Sequence, residues 1–458
     1  MRRMCRAHCL RTVREVPDGM KEVPAMKQKA AWVPAILLCL VPWLMVLGNS
    51  VLIPGLPEMA ERMHVTRLQI SLLITLFSLP AGLVIPFAGM LSDRFGRRWV
   101  VVPSLLLFGI GGLVAGLAGW WMRHPYGVVL AGRVLQGIGA AGTAPIAMAW
   151  IGDLYRGAQR ARVLGVNEAG NALGKVMSPI VGSAVGLLAW FAVFFVFPVL
   201  CVPLTVLIWR LVPAEREAKS PRAPAEDADS SRGSYLHRLR EVFRREGRWL
   251  SIAYLGGAAA LFTLFGVLFY LSDLLERSYG IDGLRKGLVL AIPLFVLTGT
   301  SIATGMIIRK RVRRMKWMLV GGLCVMAAGL ILGGWLANRA WPLVGALSVS
   351  ALGTGCVLPS LNMLITSAVN RDLRGVVTSL YGSVRFLGVA AGPPAVTFLM
   401  RWPRLVLFGA LAALCLVCAA LAVWLIRPAS EPRRGGSASA WASSPRPLRG
   451  STHRKGTT

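Results

Sequence analysis

The chain has 458 residues, 55% of them hydrophobic and only 16% charged. A water-soluble protein of this length needs far more charge on its surface, so the composition excludes a soluble globule. The formal net charge of +31 would suit a nucleic-acid binder, but the basic residues cluster between apolar runs and in both tails, which excludes that partner and suits orientation in a bilayer.

In chain order, residues 1–31 carry eight Lys/Arg and no apolar core, so they read as a basic cytoplasmic tail and not as a cleavable signal peptide. Met20 and Met26 are alternative starts. Apolar runs follow near 32–54, 69–91, 99–121, 127–151, 162–187, 189–211, 249–272, 286–308, 317–337, 341–368, 375–400 and 405–426. Each approaches the roughly 20 residues that cross a bilayer, and lipid offers the backbone no partner but itself, so each reads as a helix. The expected fold is an all-α integral membrane protein with twelve spans. The least defined boundary lies at Leu188–Trp190 between the fifth and sixth.

With the N-terminus inside, the inside segments hold 39 Lys/Arg, the outside connections nine and the spans three, which accounts for all 51. The positive-inside rule therefore predicts an N-in, C-in topology. The longest inside connection, 212–248, begins as a Pro/Ser/Ala-rich linker and continues as YLHRLREVFRREGRW. There Leu236, Leu239 and Phe243 recur at helical spacing among Arg and His, which predicts a basic amphipathic helix on the inner leaflet. The linker separates a six-helix bundle at 32–211 from a second at 249–426, and 427–458 reads as a disordered basic tail.

The eight Cys lie in spans or in the N-terminal tail without a His at ligand spacing, so no disulfide and no metal site is expected. The five His lie in tails, loops or at span ends, and no catalytic constellation emerges; an enzyme is not expected, nor is a cofactor.

The second span ends GMLSDRFGRR at 89–98, and the eighth ends GMIIRKRVRR at 305–314, 216 positions later. The chain thus reads as two related halves, with the acid kept only in the first: Asp93 becomes Arg309. Basic residues after a helix need be no more than an orientation signal. Asp93 and the glycines go beyond that, because orientation requires neither an acid nor a tight turn.

Gly89, Asp93, Arg94, Gly96, Arg97 and Arg98 resemble the signature between the second and third helices of the major facilitator superfamily. The resemblance implies a gating loop that latches the two halves in the outward-facing state, with Asp93 meeting the start of the eleventh helix near Gly375. In the fourth span, Arg133 followed by Gln136-Gly137 and small residues resembles the family's fourth-helix motif. A guanidinium inside a bilayer faces a bundle interior and a partner, or else snorkels to the interface.

In the fifth span, Gly165, Gly174, Ser178, Pro179 and Gly182 are similar to the antiporter motif of drug/proton exporters, departing from it by Ser178 and Ser183 where the family has Gly. Small residues permit close helix packing, which is also the plain alternative account of these positions.

Glu168, Asn171, Lys175 and Ser178 recur every three or four residues and so share one face of that helix. Glu168 is the one carboxylate well inside any run; Lys175 stands about 10 Å further along the axis at 1.5 Å per residue. The face is either a structural polar seam or a site. As a site, Glu168 takes up the coupling proton, with Arg133 and, in reserve, Asp273 as further proton-coupling candidates. Lys175, Asn171, Arg385, Tyr381, Asn49 and Gln136 are the candidate substrate contacts. Asn49 stands where many drug exporters carry a first-helix acid.

Arg385 lies in the eleventh span, the repeat mate of the fifth, so it is expected to face Lys175 across the pseudo-two-fold axis. Two cations near the midplane favour an anionic substrate.

The resemblance implies a twelve-helix secondary transporter of the drug/proton antiporter group, working by alternating access between two pseudo-symmetric six-helix bundles. The expected partners are a small-molecule substrate, protons and the lipid bilayer, with the monomer as functional unit. No phosphate-binding Gly-rich loop is present, so an ion gradient is the expected energy source. Export of an acidic natural product, siderophore- or antibiotic-like, fits the cations; uptake of an organic anion by a symporter or facilitator on the same fold is the alternative.

Overall fold

A computed structural model describes residues 32–213, 230–308, 312–368 and 371–426. The two tails, most of the Pro/Ser/Ala linker, and Arg309, the counterpart of Asp93, lie outside the described residues.

Among the described residues every regular element is a helix. The first half contains α1 (Trp32–Ser50), a 3₁₀ turn (Ile53–Gly55), α2 (Leu56–Arg62), α3 (Arg67–Phe95), α4 (Arg97–Trp121), α5 (Tyr126–Ala141), α6 (Ala144–Leu154), α7 (Gly157–Gly186) and α8 (Ala192–Leu211). The second half contains α9 (Ser230–Tyr279), α10 (Gly283–Ile308), α11 (Val312–Leu336), α12 (Ala340–Ala368), α13 (Arg371–Leu399) and α14 (Arg404–Leu425).

Three boundaries differ from the sequence-based expectation. The run at 32–54 is not one helix: it breaks after Ser50, because neither Pro54 nor Pro57 can donate to the ladder. The fourth run breaks at Gly142–Thr143 into α5 and α6. The expected amphipathic helix is no separate element; its backbone is the first part of the 50-residue α9, continuous with the apolar run at 249–272.

Among the described residues, ten helical units are long and apolar enough to cross a membrane. Among the described residues, α7 and α13 have the length, 30 and 29 residues or about 45 Å, but not the apolarity. These two carry Glu168, Lys175 and Arg385, which explains the shortfall.

The packing of the first half repeats in the second. α4 lies between α5 and α8, as α11 lies between α12 and α14. α7 packs on α1 of its own half and α10 of the other; its mate α13 packs on α9 of its own half and α3 of the other. The two polar helices therefore both lie where the halves meet. Exposed tryptophans mark helix ends on both sides: Trp99, Trp209, Trp317 and Trp424 at one, Trp120, Trp121, Trp335 and Trp402 at the other. Such aromatic belts sit at headgroup level.

The motif glycine Gly182 faces the Val51 backbone carbonyl so closely that an added Cβ would overlap it. The obstacle is main chain at the break after α1 and cannot rotate away. Gly182→Ala is expected to cost about 1–3 kcal/mol through overpacking, read as a lower melting temperature of the purified protein; unchanged melting would show that α1 and α7 separate freely here.

Candidate functional site

The polar face of α7 is graded. Glu168 is exposed, Asn171 and Lys175 are half-buried, and Ser178 and Gly182 are buried. Pro179 is buried too, and its carbonyl abuts Gly287 of α10, so the end of α7 beyond Lys175 is sealed against the other half. Gly174 seals against Trp43 of α1, with 2.9 Å between an added Cβ and the indole, whereas Gly165 looks into open space. The five motif positions thus divide into a packed end and an open end.

Lys175 lies within electrostatic reach of both Arg385 and Glu168. The structure therefore brings together the cations of α7 and α13 that the repeat places opposite one another. Among the described residues, neither Glu168 nor Lys175 has a hydrogen-bonded or ion-paired partner. Arg385 stacks over the Tyr381 ring at 5.4 Å, and its Nε and the Tyr381 hydroxyl are buried without partners among the described residues. Tyr381 also packs against Tyr254, with centroids 5.9 Å apart.

Other sequence-derived candidates lie elsewhere. Arg133 is fully buried and meets no carboxylate among the described residues: Nε donates to the Leu73 carbonyl at 2.9 Å, one terminal nitrogen to the Gly48 carbonyl at 3.0 Å, and the other to Gln136 Oε1 at 2.7 Å. Its guanidinium also lies over the Phe77 ring at 4.4 Å. Arg133 and Gln136 thus tie α5 to α1 and α3, and the interface alternative for Arg133 is excluded. Asn49 accepts from the Ser78 hydroxyl at 3.2 Å. Asp273, at the far end of α9, is held by Arg67 at 3.2 Å and Arg277 at 2.9 Å.

In the turn between α3 and α4, Asp93 pairs with Arg97 at 2.7 Å, and Arg97 also reaches Asp153 at 3.2 Å. The expected partner at the start of α13 lies among side chains outside the description. Arg98 donates to the Trp209 carbonyl and covers that indole at 4.1 Å; Arg94 lies over Phe95. Gly96 takes φ 94°, a left-handed conformation that admits glycine readily and turns α3 into α4. Among the described residues, Gly89 meets no neighbour that would oppose a side chain.

Two features escaped the sequence reading. Lys286 is 1% exposed, though it stands at the first position of the apolar run at 286–308. Asn167 is fully buried with both amide atoms unpartnered among the described residues. Its position one residue before Glu168 hid it, since helical spacing puts it off the polar face.

A helical bundle of two repeated halves, with Lys175 and Arg385 on the two helices where the halves meet, defines a membrane transporter. Residues 38–393 match the Major Facilitator Superfamily, and the chain belongs to that family. It is 42% identical over 383 residues to the bacillibactin exporter of Bacillus subtilis (strain 168), covering 83% of this chain and 92% of the relative. It is 25% identical over 379 residues to the multidrug efflux protein YfmO of the same organism, covering 80% and 85%. Among solved structures, a bacterial homologue of the human lysosomal transporter Spinster superposes with a TM-score of 0.66 at 19% identity, covering 88% of this chain and 95% of that one. A D-xylose–proton symporter gives 0.67 at 16% identity, covering 87% and 98%. The protein is accordingly a multi-pass transporter of the cell membrane and not an enzyme.

Proposed function

We propose that the chain is a proton-driven exporter of a small amphipathic organic anion. The observation that carries this reading is Lys175 on α7 within electrostatic reach of Arg385 on α13, with Glu168 on the same face of α7. Two cations supplied by opposite halves suit a carboxylate or phenolate that both halves must hold in turn, and the unpartnered Arg385 Nε and Tyr381 hydroxyl offer it two further polar atoms. Glu168, exposed one to two turns away, carries the proton: deprotonated on the inside while substrate loads, protonated from the outside as substrate leaves. Asn171 stands between the acid and Lys175 on the same helix face.

The orientation proposed is N-in and C-in with twelve spans, α7 and α13 included, so that the open end of α7 faces the cytoplasm; the working unit is the monomer. Gly96, Asp93, Arg94, Arg97 and Arg98 form the cytoplasmic gating loop. The name of the 42%-identical relative supports export, and bacillibactin is the first compound to try.

The test uses everted membrane vesicles, acidified inside by respiration and monitored with a pH-sensitive dye. Proton efflux on adding bacillibactin or another amphipathic acid is the expected result. A response to cationic drugs alone would overturn the anionic site, and silence from folded protein across a broad panel would favour uptake.

A further inference from the structure

At the end of the bundle remote from Glu168, the halves are joined by charge and not only by packing. The break after α1 is the starting point. Pro57 has no N–H, so the Ile53 carbonyl loses the partner that an unbroken helix would supply four residues on. The other half fills the gap: the Ser272 hydroxyl of α9 donates to the Ile53 carbonyl at 2.6 Å. Next to it, the Lys286 ammonium of α10 donates to the Pro54 carbonyl at 2.6 Å.

Lys286 is also paired with Glu276 of α9 at 2.5 Å, and its side chain is 2% exposed against 23% for that of Glu276. Asp273 and Glu58 are the other carboxylates within its electrostatic reach. Arg67 and Arg277 occupy Asp273, leaving Glu276 as the counter-charge in contact with the ammonium.

These contacts differ in weight. The Arg67–Asp273 pair also links the halves, but its arginine is 43% exposed, and exposed pairs contribute little. A buried ammonium is tolerated only while its partners are in place, so separating the halves here removes Lys286 from the Pro54 carbonyl and forces it to find water.

We propose that Lys286 is the pin of an ionic latch that keeps the exit end of the transport path shut, with Glu276 as its counter-charge and the broken first helix as its keeper. The latch holds the exit closed while the opposite end loads, and its release is a step of the cycle distinct from proton uptake at Glu168. The word exit rests on the orientation proposed above; the latch itself is defined by residues and holds for either orientation.

Hydrogen–deuterium exchange of the purified full chain in lipid nanodiscs tests the latch without substrate or proton gradient, so its outcome is independent of whether export or proton coupling is established. Lys286→Gln is expected to raise exchange at 51–66 and 270–287 by about tenfold or more and to slow it at the opposite end, around 152–162, as the population shifts. Glu276→Gln, which keeps the shape and loses the counter-charge, should move both ends in the same directions by less. Lys286→Arg should stay close to the parent, and so should Arg62→Gln, which removes only the loose surface pair with Glu58 at 3.9 Å. Unchanged exchange at 51–66 and 270–287 in both glutamine variants would overturn the proposal. Equal acceleration throughout, including the centres of α4 and α11, would also overturn it, by showing that Lys286 only stabilises the fold.

Discussion

Glu168→Gln is expected to lower proton-driven export by about two orders of magnitude, the scale on which a positioned proton carrier matters, while leaving substrate exchange without a proton gradient near the parent rate. The substitution is nearly isosteric, and Glu168 is exposed with no hydrogen-bonded partner among the described residues, so the fold has little to lose. What changes is charge. A neutral residue cannot alternate between protonated and deprotonated forms, and Lys175 loses the carboxylate within its electrostatic reach. Dye-monitored proton efflux and radiolabelled exchange in the same vesicles separate the two effects. If proton efflux persists in the variant, the coupling acid is another residue and the polar face of α7 is a packing seam. If efflux and exchange fail together, Glu168 serves substrate binding.

Arg133→Leu is expected to destabilise the protein by about 3 kcal/mol or more, because three acceptors lose a charged donor in a site that water does not reach. The Gly48 and Leu73 carbonyls belong to α1 and α3, so the substitution loosens three helices together. Thermal melting and the yield of monodisperse protein are the measurements. Arg133→Lys should restore only part of the loss, since an ammonium does not reproduce a planar fork with donors aimed at three separate acceptors. A variant that folds and melts like the parent but no longer couples substrate to protons would instead return Arg133 to the proton path.

The difference between these two residues shows how far the primary structure leads. Both are charged groups inside apolar runs, and both were candidates for proton coupling. Glu168 sits on a face with Asn171, Lys175 and Ser178, and helical periodicity alone assembles that face. Arg133 has no such company in the chain. Its partners are carbonyls of α1 and α3, and a backbone carbonyl leaves no mark in a sequence. Lys286 escaped notice for the same reason: its keeper is the Pro54 carbonyl, 232 residues away.

By itself the sequence determined the membrane, the helices, the two related halves and the family resemblance, because each depends on composition or on spacing within one segment. It also determined that α7 and α13 would carry the charge, since the repeat makes them mates. Only the tertiary structure decided which charged side chains are enclosed and by what. It turned Arg133 and Gln136 into a tie between helices, placed Asp273 and Lys286 in contacts that link the halves, and left Glu168 at the open end of α7. The physical reason is that a buried charge is stabilised by whatever donors and acceptors surround it in three dimensions, and these come from segments that the chain order does not place together.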